Sequence, residues 1–315
     1  MAVEREIGLN SSLRAEIDLP CPEDGSAYRE VAEAWFTAAL AELAGALGEE
    51  FGYDLDLSAR ASTIIGGNST YGPPGSFWAS LLVTRASGRQ VETYWSPKNW
   101  RTFLRDVEKM PPEAKVQLAV VGPDGFPGEP WLDVSVVRER DAPDWIALVA
   151  DRTTEEFGDP GTRAEAQSRW IAFLRSQAHA HETVLFGGVA DDAELTTGRT
   201  ALEATLGLFQ DDTFAELDSV LRGYAWITVC SPGVVEVLGG IDRLRDADAF
   251  FAVEPLARGG ALLRATEHIW EYGPAAVDAV FRALAPALPP GEASPAISSD
   301  TIRLAFEDAS RVGRS

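Results

Sequence analysis

Three histidines, His179, His181 and His268, are the side chains of this sequence whose ordinary titration falls near neutrality. His179 and His181, spaced two apart, would share one face of an extended backbone and offer two nitrogens to a metal. A third ligand would have to be Glu182 or a distant carboxylate, and the pair falls where a helix is expected to give way to a strand. A surface turn is the reading adopted. His268, next to Glu267 at the end of an expected hairpin strand, could serve as a general base only if another group oriented its ring. It marks the enzymatic alternative, a small-molecule enzyme on a ferredoxin-like sheet. Cys21 and Cys230 stand far apart and are expected as free thiols, with Cys230 in an apolar run and so buried. The chain holds no CxxC pair, no GxxxxGK[ST] phosphate loop, no GxGxxG after a strand, no HExxH and no GxSxG. The expectation is therefore a protein without a catalytic residue, a metal or a cofactor, whose business is binding.

Carboxylates are abundant. Forty-nine acidic residues stand against 27 basic ones, a formal net charge of −22 over 315 residues. A phosphate backbone or an anionic membrane needs a positive surface opposite it, so direct binding of nucleic acid or membrane is disfavoured and a basic protein partner is favoured. Neighbouring acids recur at 49–50, 54–56, 155–156, 191–194, 211–216 and 246–248, none with the spacing of an EF-hand. Asp191, Asp192, Glu194, Asp211, Asp212 and Glu216 are the candidate contacts for that partner, because their loops border expected core elements. The Gly-rich stretch 64–75 reads either as a binding loop or as a connector.

The elements that must carry these residues read as α+β. Residues 26–50 repeat apolar positions at helical spacing (Val31, Ala34/Trp35, Ala38/Ala39, Leu43), with Ser26 as N-cap. A short strand is expected at 53–57. A strand–turn–strand–helix pattern then occurs three times: 77–83, 90–95 and a helix from Pro97; 131–137, 145–150 and a helix at 163–178; 250–255, 261–266 and a helix at 274–284. Further strands are expected at 116–121, 183–189, 224–230 and 302–306, and helices at 200–206 and 232–244. Hairpin-plus-helix repeats imply a largely antiparallel sheet with helices laid on one face. The Pro- and Gly-rich stretch 122–130 suggests a boundary between a helix-led module, 1–125, and a larger one, 126–310. No run is apolar enough to cross a bilayer and the start lacks the character of a signal peptide, so a cytoplasmic location is expected.

Four stretches carry a family likeness: Tyr224-Ala225-Trp226-Ile227-Thr228-Val229; Val237-Leu238-Gly239-Gly240-Ile241-Asp242-Arg243-Leu244; Gly259-Gly260-Ala261-Leu262-Leu263-Arg264-Ala265-Thr266; and Val280-Phe281-Arg282-Ala283-Leu284-Ala285-Pro286. With them, residues 129–291 resemble the type VI secretion immunity family, whose members protect against VRR-type nuclease toxins. The resemblance implies an immunity protein that neutralises a basic nuclease. Residues 1–125 have no counterpart in it. Few Lys with many Ala, Gly, Arg and Asp suggest a high-GC actinobacterial source, in which a toxin would be delivered by another system. A regulatory or structural interaction module is the remaining alternative.

Overall fold

The computed structural model describes residues 9, 12–45, 47–48, 71–138, 140, 142–191, 198–209, 212–213, 216–292, 294 and 303–312. In chain order these form β1 (Ser12–Pro20), α1 (Gly25–Glu42), β2 (Phe77–Thr84), β3 (Gln90–Tyr94), α2 (Pro97–Val107), β4 (Glu113–Val121), β5 (Pro127–Val137) and β6 (Trp145–Thr153). There follow α3 (Arg163–Ala180), β7 (Phe186–Ala190), α4 (Ala201–Leu206), β8 (Ile227–Cys230), α5 (Pro232–Val237), α6 (Ile241–Arg245), β9 (Ala252–Pro255), β10 (Ala261–Arg264) and α7 (Pro274–Leu284). The class is α+β with antiparallel strand pairing, as the repeated hairpins imply. The expected strand at 53–57 lies outside the described residues.

Two compact units emerge, and they divide elsewhere than at 122–130. One is Pro20–Glu155; the other joins Met1–Leu19 to Glu156–Ser315. The 122–130 stretch turns and opens the β4–β5 hairpin, in which Val121 pairs with Pro127 and Val120 with Gly128. Its Pro and Gly residues serve a tight turn, not a linker.

In the continuous unit the strands run β3-β2-β4-β5-β6. Ala79, Leu81 and Val83 of β2, Leu118, Val116 and Ala114 of β4, and Leu132, Val134 and Val136 of β5 stand in register on one buried face. That face is covered by α1 and α2. Helix α1 starts at Asp24, not Ser26, because the Asp24 carboxylate accepts from both Ser26 N (2.8 Å) and Ala27 N (3.0 Å). It ends at Glu42, and its buried stripe is Tyr28, Ala32, Trp35, Phe36 and Ala39, which leaves Ala34 exposed. Phe36, Trp100 and Phe103 form an aromatic contact between the two helices, with centroids 5.5–6.1 Å apart. A buried Phe of this kind contributes about 1.5–3 kcal/mol. Buried Arg152 on β6 donates to the Leu43 carbonyl at the end of α1, satisfying a group that the helix leaves open. The described end of the Gly-rich stretch is tied down: Tyr71 N donates to Gly125 O (2.7 Å) and Gly75 N to Val121 O (2.7 Å), while the Tyr71 ring meets Trp78 and Phe126.

In the discontinuous unit the strands run β1-β7-β8-β10-β9. Strand β1 was not anticipated from the sequence. It pairs Arg14 with Ala190 and Asp18 with Phe186, and Leu13, Ala15, Ile17 and Leu19 are buried on one face. The expected helix 232–244 splits into α5 and α6 because Gly239 and Gly240 take positive φ (89° and 92°). The expected C-terminal strand does not form at 303–306, which carries no strand pairing; there Arg303 donates to the carbonyls of Ile269 and Tyr272, and Ala305 N to the Tyr224 hydroxyl.

Candidate partner-binding lobe

The second face of β1 sets up the site. Period two turns Arg14, Glu16 and Asp18 away from the apolar side, and such residues would ordinarily face water. Here Asp18 is 0% exposed and Glu16 is buried. The segment 198–222 supplies their cationic partner, Arg222, also 0% exposed. Arg222 Nη1 donates to Asp18 Oδ2 (2.5 Å) and Glu16 Oε1 (3.1 Å), while its Nε and Nη2 donate to the two oxygens of Glu203 (2.9 and 3.0 Å). Arg14 donates twice to Glu16 Oε2 (2.9 and 2.7 Å). A guanidinium fork suits this role because its planar donors match several carboxylate oxygens at once.

Electrostatics divide Glu16 from Asp18. Burial pushes Glu16 up, but Arg14 and Arg222 outweigh it and hold the carboxyl below the ordinary carboxylate range. For Asp18 burial wins over Arg222, helped by the like charges of Glu16 and Glu203, and its pKa is pushed up to about 8. Burial disfavours the charge on Arg222, yet Asp18, Glu203 and Glu16 together keep the guanidinium ionised.

Glu203 links this cluster to the acidic loop. As the third residue of α4 it closes a capping box with Thr200, accepting from Thr200 N (2.8 Å) while Thr200 Oγ1 accepts from Glu203 N (3.1 Å). Its Oε1 also accepts from the Thr213 hydroxyl (2.6 Å). Gly207 ends the helix in the left-handed region. Beyond it the backbone N–H of Phe209 donates to the Asp212 carboxylate (2.7 Å), and Asp212 N donates back to Phe209 O (3.1 Å). Ser231, at the start of α5, donates to the carbonyls of Leu217 and Asp218. Asp212, Glu216 and Asp218 are exposed on the segment so held, and Phe209 is 64% exposed, with the Arg199 guanidinium over its ring at 5.5 Å. Beside it lies a cleft of about 40 Å³, lined by Arg14, Glu16, Phe186, Arg199, Thr200 and Tyr224 among others. That is room for about three water molecules.

The candidate contacts separate. Asp212 and Glu216 sit exposed on the lobe. Asp191, at the end of β7, is 4% exposed and pairs with Arg303 at 2.7 Å, so its carboxylate faces the protein's own cation and is withdrawn from the surface. Asp192, Glu194 and Asp211 lie outside the described residues. Sequence reasoning missed Arg14, Glu16, Asp18, Glu203, Phe209 and Arg222. The alternation of residues 13–19 was a visible signal for β1; the isolated Arg222 gave none.

His268 and His179 are engaged structurally. His268 stacks on Trp270 (4.5 Å, 11°) and its Nδ1 meets the Gln167 amide (3.2 Å), which in turn accepts from Ile269 N. Glu267 supplies only its backbone carbonyl to that amide, so the suspected His268–Glu267 pairing is replaced by a tie between α3 and the loop after β10. His179 pairs with Glu254 (3.1 Å), whereas burial lowers the pKa of His181. Among the described residues no group of three or more His, Cys, Asp and Glu is placed to hold a metal ion, and no helix is long and apolar enough to cross a membrane.

No family model and no curated protein matches this chain. Among solved structures it is similar to the Pseudomonas aeruginosa T6SS protein PA0821, with a TM-score of 0.52 and 13% identity over 88% of this chain and 77% of that one. At that identity the likeness is one of fold.

Proposed function

We propose that this chain is a non-catalytic binding protein that neutralises a basic protein partner, in the manner of an immunity protein blocking a nuclease toxin. The observation that carries the reading is the lobe itself: a solvent-exposed Phe209 on the same tied segment as exposed Asp212, Glu216 and Asp218, in a chain of net charge −22. A nuclease must present a basic cleft to nucleic acid, and a dense acidic surface steers quickly into such a cleft. An aromatic side chain ringed by charge is the usual composition of an interface centre, where it supplies desolvated contact while the charges set encounter rate and register. The fold in common with a type VI secretion protein and the resemblance of residues 129–291 to an immunity family support the same class of partner.

The test uses the purified chain and the purified product of the gene beside its own. Tight binding, inhibition of that product's nuclease activity, and loss of both in the double variant D212K/E216K are expected. A neighbouring product that is not a nuclease, or inhibition untouched by the charge reversal and by added salt, would overturn the reading.

A further inference from the structure

The cluster beneath the lobe holds more acid than its described bases balance. Facing Asp18 are Glu16 from β1, itself paired with Arg14, Glu203 from α4 and Arg222 from the segment before β8; β7 brings Phe186, and just before it the Leu185 N–H donates to the Asp18 carbonyl (2.9 Å). Three carboxyls thus meet two guanidinium groups, with Asp18, Glu203 and Arg222 fully buried while Glu16 and Arg14 reach the cleft. Asp18 Oδ2 accepts from Arg222, yet Asp18 Oδ1 is buried with no hydrogen-bond partner. An ionised carboxylate in such a place would keep a bare charged oxygen, a far costlier arrangement than a neutral carboxyl. A proton on the Asp18–Glu16 pair removes the surplus charge and lets Asp18 donate to Glu16.

We propose that this proton is a structural component: it clasps residues 198–209 and 216–222, and the exposed acids they carry, onto β1, so that these residues close in mild acid and loosen as pH rises. The sign follows from linkage. The folded Asp18 carboxyl titrates at about 8 and the unfolded one near 3.8, so the closed state binds a proton that the open state has lost. Closure is complete below the lower value and is lost progressively as pH rises toward the upper one. Glu16, held low, opposes this only in stronger acid.

The experiment is hydrogen exchange on the full chain between pH 5.5 and 7.5, corrected for the intrinsic pH dependence of exchange. Protection of backbone amides in residues 200–209 and 216–222 is expected to fall by up to about tenfold per pH unit, while the core of β4 stays constant. In Asp18→Asn, which mimics the neutral carboxyl, protection should remain high and nearly flat. Flat protection in the native chain, or an equal slope in D18N, would overturn the clasp. Should D18N fail to fold, the carbon-13 shift of the native Asp18 carboxyl decides: a midpoint near 8 supports the proposal and one near 4 refutes it. Either outcome can occur whether or not the lobe binds a nuclease.

Discussion

Single side chains in this protein are decided by what lies opposite them. Arg222 is the clearest case, since its charge is tolerable only because Glu203, Asp18 and Glu16 surround it. Arg222→Ala would leave three buried carboxyls without that cation and should cost about 3–5 kcal/mol, read from urea unfolding. Arg222→Lys should recover only part of this, because one ammonium cannot reach both sides of the fork. Cys230 gives a second test. Burial pushes its thiol up to about 12, and a thiol held protonated does not react, so an alkylating reagent at pH 8 should label half-buried Cys21 well before Cys230 in the folded chain. A mass shift at Cys230 in the native state would contradict the packing around it. The burial of Cys230 was legible from its apolar neighbours. The burial of Glu16 and Asp18 was not, because residues that alternate with Leu13, Ala15, Ile17 and Leu19 read as an outward face until a distant arginine is known to cover them.

Elements were most legible where a turn stood between two alternating strands. The hairpins β2–β3, β5–β6 and β9–β10 fell where Ser87-Gly88, Pro143 and Gly259-Gly260 placed them, because these turn residues and the period of two report the same geometry. Helix ends were less legible. An N-cap is fixed by which side chain reaches which N–H, and Asp24 reaches two where Ser26 was expected. At α2 the cap was signalled by Pro97 and is made by Ser96, which accepts from Asn99 N (3.1 Å). Ser96→Ala should cost about 1 kcal/mol, measurable as a lowered thermal midpoint. Gly233 supports a stronger prediction. A Cβ there would lie 2.0 Å from the Asp218 carbonyl oxygen, so α5 and the acidic loop meet backbone to backbone. Gly233→Ala should push residues 216–219 away and raise their amide exchange, while β4 and β5 keep theirs.

For the molecule as a whole, the charge of −22 makes association rate the sensitive quantity. If the lobe meets a basic partner, raising salt from 50 to 300 mM should slow association much more than it speeds dissociation, whereas Phe209→Ala should act chiefly on dissociation. Stopped-flow mixing at several salt concentrations separates the two. Domain organisation was the least legible property, because composition marks flexible joints and cannot show that residues before Leu19 pair with residues after Glu156. That discontinuity governs how the chain is made. Strand β1 leaves the ribosome before its partner β7 exists, and Arg222 follows about 200 residues later, roughly 10–40 s at ordinary rates of synthesis. Throughout that interval Arg14, Glu16 and Asp18 are hydrated charges on a nascent strand, and charges of this kind disfavour pairing with a wrong edge. Two of these, Glu16 and Asp18, are buried in the finished fold.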